Sequence, residues 1–249
     1  MDFLDLNDKK ILVTGASSGI GQATAILLSR LGAKVVLAAR NEEKLRKTLD
    51  MMEYPDRHIV IPVDLKKFAE YDVFFTKAVE DGVKLSGMVH SAGITKVVPL
   101  KIIKPESMYE VFEINFFAFL ALTSQYAKKK YSNGGSIVGV SAINAHYPQK
   151  CMSIYAASKG ALEASVKTLA LELCCQGIRI NSVIPGAVET PMSEFIEEET
   201  KKQIEGRQLL GMEQPGQIAD VIAYLLSDRS SCMTGRNVYA DAGLLGQFM

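Results

Sequence analysis

The chain has no excess of either charge: Lys+Arg and Asp+Glu each number 28 in 249 residues. That balance gives no overall pull towards nucleic acid or an acidic membrane surface, and the local run Lys128-Lys129-Lys130 reads as a solvated helix end. Cysteine is scarce. The four present include an adjacent pair, Cys174 and Cys175, and no Cys-x-x-Cys, which argues against a secreted disulfide framework and for a reducing setting. The three histidines, His58, His90 and His146, are scattered and show no metal-ligand spacing, so no metal site is expected. Long apolar runs are missing as well: the most apolar stretch, residues 23–39, is broken by Arg30, Gly32 and Lys34. The acidic N-terminus lacks the basic start and apolar core of a signal peptide. These absences point to a soluble cytoplasmic protein without nucleic-acid or membrane partners.

Apolar content is ample, at 48%, for a single sizeable core. Short apolar runs suited to strands occur at residues 10–13, 35–39, 59–63, 87–90, 135–141, 178–184 and 236–240. Helical patterns fall between them, over 20–31, 42–52, 67–80, 105–130, 154–175, 197–208 and 215–226. Such alternation predicts right-handed βαβ units and one α/β domain over residues 1–249: a Rossmann-type, doubly wound, mostly parallel, seven-stranded sheet with helices on both faces. Residues 187–213, rich in Met and Glu, interrupt the pattern and read as a substrate loop or lid.

The chemistry-bearing residues sit where such a sheet places its sites. Gly15, Gly19 and Gly21 occupy the first strand–helix turn, Thr14-Gly-Ala-Ser-Ser-Gly-Ile-Gly21, where a dinucleotide pyrophosphate would rest on a helix N-terminus. The second strand ends in Ala39 and Arg40, where NAD-selective folds place a carboxylate; a guanidinium there suits the 2′-phosphate of NADP. Asp64, after the third strand, could accept from adenine or cap a helix. Asn115, a poor mid-helix residue, could hold a backbone distortion or a water.

Ser141 ends a strand and by itself could be a turn serine. Tyr155 and Lys159 are four residues apart, so on a helix they share a face, and the neighbouring cation is expected to lower the tyrosine pKa. A hydroxyl and a phenol converging on one substrate oxygen, beside a hydride carrier, suit carbonyl reduction or alcohol oxidation. Cys151, near Tyr155, reads as an ordinary loop thiol.

On these marks, together with the Ala92-Gly93 turn, Asn181-Ser-Val-Ile-Pro-Gly186 and Thr190, the chain closely resembles the short-chain dehydrogenase/reductase family over its full length. The resemblance implies Tyr155 as general acid/base, Ser141 as the group polarising the carbonyl, and Lys159 as the residue tuning Tyr155 and binding the nicotinamide ribose. It implies a water on Asn115 leading to a proton relay. Pro185, Gly186, Val188 and Thr190 would meet the nicotinamide end. Ser17, Ser18, Ile20, Asn41, Leu65 and Ser91 join the cofactor contacts, and a homodimer or homotetramer is expected.

Two departures stand out. The turn after the fourth strand reads His90-Ser91-Ala92-Gly93 instead of Asn-Asn-Ala-Gly, and His90 reads as a satisfied strand-end histidine. The glycine turn carries Ser17 and Ser18 where some NADP-using members have a basic residue, so the choice of NADP(H) rests on Arg40. The expected function is an NADP(H)-dependent oxidoreductase of a ketone or secondary alcohol. Reduction of 3-oxoacyl groups on acyl-carrier protein is an alternative, weakened because Glu194, Glu197, Glu198 and Glu199, followed by Lys201 and Lys202, form no clear basic rim. A non-catalytic dinucleotide-binding sensor or scaffold is a lesser one.

Overall fold

In a computed structural model, residues 4–147, 149–193 and 206–244 are described. Strands β1 (Lys10–Thr14), β2 (Lys34–Ala39), β3 (Ile59–Pro62), β4 (Leu85–His90), β5 (Ser132–Val140), β6 (Ile178–Pro185) and β7 (Asn237–Ala240) form one sheet in the order β3-β2-β1-β4-β5-β6-β7. Every pairing is parallel, so the sheet is wholly rather than mostly parallel. The helices are α1 (Gly19–Arg30), α2 (Glu42–Leu49), α3 (Tyr71–Ala78), α4 (Pro105–Phe112), α5 (Ala118–Tyr126), α6 (Ser153–Leu173) and α7 (Pro215–Leu226).

Side-chain alternation along each strand feeds two cores. Leu12, Val36, Ala38 and Ile137 face a core completed by Phe74 and Phe75 of α3, Phe119 and Leu122 of α5, and Leu162 and Val166 of α6. Their neighbours Ile11, Val13, Val35, Leu37 and Val138 face the other core, with Ala25 and Leu28 of α1, Leu45 of α2, and Ile218 and Ile222 of α7. Each fully buried Leu, Ile, Val or Phe contributes about 1.5–3 kcal/mol. The strand order reverses at β1, with β2 on one side and β4 on the other, so a crevice opens above the C-terminal ends of β1 and β4.

One helix differs from its expected form. The pattern over 105–130 is interrupted: α4 passes into a π-helical turn, Glu113–Phe117, before α5. Asn115 lies inside that turn, so the poor helix former does mark a backbone distortion. The helix expected over 197–208 falls mostly on residues outside those described, as do Glu194, Glu197, Glu198, Glu199, Lys201 and Lys202.

At the opposite, N-terminal edge of the sheet, Lys10 is buried and binds Asp81 at 2.6 Å, while Lys34 reaches the other carboxylate oxygen at 2.5 Å. Burial alone would raise the Asp81 pKa. Hydrogen bonds from Lys10, Lys34 and the Val83 amide overcome that and hold the carboxyl well below its usual range.

Candidate active site

The first turn of the crevice is closed by backbone packing that only glycine permits. Gly15 has φ +73°, and a Cβ on it would lie 2.7 Å from the Ala92 nitrogen; one on Gly21 would lie 2.3 Å from the Gly15 carbonyl oxygen. The turn delivers the chain into α1, whose N-cap, Ser18, makes no side-chain bond and whose first turn has no acidic residue. The leading amides of a twelve-residue helix therefore remain available to an anion, which fits a pyrophosphate. Thr190 borders the same turn, its methyl 3.2 Å from where a Gly19 Cβ would be. Ser17 and Ile20 are partly buried in the turn and Ser18 is exposed.

Arg40 is exposed at the end of β2, and Asn41 caps α2 by accepting from the Lys44 amide at 2.9 Å. The acids of that first turn are drawn down the helix, Glu42 to Arg46 at 2.6 Å and Glu43 to Lys47 at 2.8 Å, which leaves Arg40 as the charge at the strand end. Asp64 accepts from the Lys66 amide at 3.1 Å, a local turn bond, beside buried Leu65. Ser91, Ala92 and Gly93 line the far wall, where the Ser91 and Ala92 amides bond to Thr14.

His90 is fully buried, and its Nε2 lies 3.0 Å from the Ile114 carbonyl oxygen. A carbonyl can only accept, so Nε2 carries the proton and Nδ1 accepts from the Thr14 hydroxyl at 3.0 Å. Burial, aided by the Lys159 charge, pushes its pKa down to about 3, so the ring is neutral. The histidine thus ties β4 to β1 and to the π-turn, as a satisfied strand-end residue. Asn115 is buried beside it. Its Oδ1 accepts from the Ile94 amide at 2.9 Å, and its Nδ2 donates to the Ile94 carbonyl at 3.0 Å and to the Ser158 hydroxyl at 2.9 Å. Asn115 therefore clamps the 90–94 turn to α6.

Helix α6 brings Tyr155 and Lys159 into the crevice next to Ser141, which directly follows β5. All three are buried. The Lys159 Nζ donates to the Val140 carbonyl at 2.7 Å and lies 5.8 Å from the Tyr155 ring centre. A Cβ on Gly93 would be 3.4 Å from both that Nζ and the Asn115 Oδ1, so the lysine head sits against the 91–93 turn. The expected fall in the tyrosine pKa is reversed. Burial pushes Tyr155 up to about 12, and burial pushes Lys159 down to about 8 despite the nearby Glu163. Desolvation alone shifts the phenol, and the ammonium is bonded to the Val140 carbonyl.

Several contacts escape the sequence reading. Glu163, one turn beyond Lys159, is buried; its Oε1 accepts from the Ser141 hydroxyl at 2.5 Å and its Oε2 lies 2.6 Å from the His146 Nε2. The available signal was a carboxylate continuing the Tyr155–Lys159 face at the same four-residue step. The base of the 187–213 segment is also stitched: the Glu213 carboxylate accepts from the Gly186 amide at 2.8 Å, and the Gln208 Oε1 from the Ala187 amide at 2.8 Å. Val188 pairs with Glu213 as an isolated parallel bridge. Burial pushes the Glu213 carboxyl up to about 7. Cys151 is partly buried, with φ +64°, and its carbonyl accepts from the Val98 amide at 2.8 Å.

Comparison with known proteins agrees with this geometry. A family profile described as enoyl-(acyl carrier protein) reductase matches residues 15–245. A 3-oxoacyl-[acyl-carrier-protein] reductase from Rickettsia felis is 32% identical over 244 residues, 97% of this chain and 99% of its own length. A glucose 1-dehydrogenase from Gluconobacter oxydans is 36% identical, over 95% of this chain and 91% of its own. An L-xylulose reductase from Caenorhabditis elegans is 32% identical, over 96% of each. A solved structure from Sinorhizobium meliloti 1021, described as a short-chain alcohol dehydrogenase, superposes with a TM-score of 0.92 at 27% identity, covering 98% of this chain and 99% of its own. With full-length relatives of this kind and a crevice built in this way, the chain belongs to the short-chain dehydrogenase/reductase family of oxidoreductases.

Proposed function

We propose that the protein is an NADP(H)-dependent ketoreductase in which Tyr155 is the general acid and Ser141 the second donor to the carbonyl oxygen. The observation that carries this reading is the convergence of buried Ser141, Tyr155 and Lys159 beside the glycine turn at the C-terminal end of a parallel sheet. Gly15, Ser17, Ser18, Gly19, Ile20 and Gly21 would hold the pyrophosphate, and Asp64, Leu65, Ser91, Ala92 and Gly93 the adenosine and central parts. Arg40 and Asn41 would take the 2′-phosphate, and Pro185, Gly186, Val188 and Thr190 the nicotinamide end. Bound NADPH would supply the hydride that the carbonyl carbon receives.

The residues do the rest. Tyr155, pushed up to about 12, keeps its proton at neutral pH and holds it ready for an oxygen gaining charge. Lys159, at about 8, remains largely charged there and draws the tyrosine towards releasing that proton. Ser141 and Tyr155 together stabilise the developing alkoxide. Asn115 keeps Lys159 and the cofactor wall in register through Ile94 and Ser158. A protonated phenol is the form that can give its proton to the carbonyl oxygen in reduction.

Among ketones, the 3-oxoacyl thioester reading draws support from the Rickettsia felis relative, while the sugar-specific relatives at 36% and 32% identity support a polyol or sugar ketone. Three free cysteines lying exposed support a reducing, cytoplasmic setting. Exposed Val97, Leu100, Ile102 and Tyr109 support a dimer or tetramer.

The deciding experiment is NADPH oxidation with a panel of ethyl acetoacetate, an acetoacetyl thioester, L-xylulose and cyclohexanone. We expect turnover of at least one, a loss on the order of 10²–10⁴-fold in Tyr155→Phe, and unchanged NADPH affinity in that variant. No turnover of any member, or full activity of Tyr155→Phe, would sink the reading; the sensor alternative predicts NADPH binding with no turnover.

A further inference from the structure

Ser141 has a single hydroxyl proton, and in this structure a carboxylate takes it up. The hydroxyl donates to the Glu163 Oε1 at 2.5 Å; its other contact, 3.4 Å to the Lys159 carbonyl, is long. The other Glu163 oxygen faces the His146 Nε2 at 2.6 Å, and the His146 side chain is 33% exposed against 6% for Glu163. A buried carboxylate therefore connects the serine at the reaction centre with an imidazole at the surface. Neither Glu163 nor His146 belongs to the residue set with which the reaction was built above.

A hydroxyl that donates to a carboxylate turns its lone pairs to its other neighbours. So oriented, Ser141 can accept from an alcohol but cannot donate to a ketone. To donate to a carbonyl oxygen it must turn its proton away from Glu163, which leaves a buried carboxylate short of a donor. A proton taken from water through His146 onto Glu163 restores the balance: Glu163 then donates to Ser141, and Ser141 donates to the carbonyl. No bond other than these O–H and N–H bonds is made or broken. The groups facing the pair are Tyr155 and Lys159 on α6, Ser141 and His146 after β5, and Tyr239 on β7 with Asp241 just beyond; the Tyr239 hydroxyl lies 3.4 Å from the His146 ring nitrogens.

We propose that Glu163 is a positioning residue which, coupled to solvent through His146, sets the direction of the Ser141 hydroxyl and so selects between ketone and alcohol at the site. This rests on the assignment of Ser141 to the substrate oxygen. Because ketone and alcohol share one transition state, the selection appears in ground-state binding and not in the balance of the two kcat/KM values.

The test measures KM for the most active ketone of the panel and for its own alcohol, with NADPH and NADP+ respectively, in the wild type, Glu163→Gln, Glu163→Leu, Ser141→Ala and the two double variants with Ser141→Ala. An amide at 163 whose oxygen accepts from the His146 Nε2–H presents its NH2 as a donor to Ser141, without change of volume. Glu163→Gln is therefore expected to raise the ratio of alcohol KM to ketone KM about tenfold. Glu163→Leu, which holds Ser141 in neither orientation, should raise both KM values, with Glu163→Gln rescuing the ketone KM alone. In the Ser141→Ala background neither change should move the ratio. An unchanged ratio in Glu163→Gln, or the same shift with and without Ser141, would overturn the proposal while a dead Tyr155→Phe left the ketoreductase reading standing. If Tyr155→Phe is fully active, or no ketone turns over, that reading falls and this proposal with it. Should Glu163→Leu fail to fold, the isosteric Glu163→Gln cycle decides alone.

Discussion

Tyr155 and Lys159 illustrate how far a spacing argument carries at the scale of single residues. The four-residue step correctly sets both on one face of α6, but the charge–phenol attraction it implies leaves no mark on the Tyr155 pKa, which burial alone shifts. The magnitude of that attraction depends on burial and on where the ammonium points, neither of which is written in the spacing. With the Nζ bonded to Val140 and the phenol enclosed, desolvation wins and the phenol rises to about 12. Asn115 repeats the lesson: its position signalled a distortion, and the π-turn bears that out, but the bonds to Ile94 and Ser158 that give it a clamping role required the folded chain. On the proposed reading, cofactor choice turns on Arg40, exposed at the end of β2. Arg40→Asp should reverse the preference from NADP towards NAD by at least about tenfold, because the proposed guanidinium–phosphate attraction would become a repulsion. Kinetics with each cofactor at one fixed ketone concentration measure this, and an unchanged NADP/NAD ratio would remove Arg40 from the site.

Elements explain why the site is where it is. The turn between β1 and α1 is a tight fold in which Gly21 packs on the Gly15 carbonyl and Gly15 on the 91–92 backbone. Because the colliding atoms are backbone, they cannot swing aside. Gly21→Ala should therefore cost about 1–3 kcal/mol of stability by overpacking and weaken NADPH binding at least tenfold by reshaping the anion-binding turn. Denaturant unfolding and fluorescence titration with NADPH check the two parts separately; wild-type values in both would show that the turn yields. Helix α6 is the second decisive element. Its Tyr155–Lys159–Glu163 face carries three polar side chains into a buried wall, where Lys159 and Glu163 are held by Val140, Ser141 and His146.

For the whole molecule, the parallel sheet separates its two edges by task. The C-terminal ends of the strands carry the proposed reactive residues, while the N-terminal ends carry Lys10, Asp81 and Lys34. Asp81→Asn leaves the buried Lys10 ammonium poorly paired and should destabilise the fold by about 3 kcal/mol at pH 7. The sign with pH follows from the depressed Asp81 pKa: its contribution is present above the unfolded value of about 4 and disappears as pH falls through the folded value. Thermal melting of wild type and Asp81→Asn from pH 7 to pH 2 should therefore show two curves converging at the acid end. A constant gap would refute the assignment.

The sequence by itself determined the class of this protein. Alternating apolar runs dictate parallel βαβ packing, a glycine turn dictates close backbone approach, and the Tyr155, Lys159 and Ser141 positions follow from strand ends and helix period. These are local or periodic properties, so a linear reading suffices for them. Only the tertiary structure decided how those groups are solvated and what else they touch: the burial that raises Tyr155, the bond from His90 to Ile114, the Glu163 carboxylate beneath Ser141, and the Gln208 and Glu213 side chains that stitch the segment after β6. Each of these joins residues from different elements, and protonation and hydrogen-bond direction depend on that enclosure rather than on order along the chain.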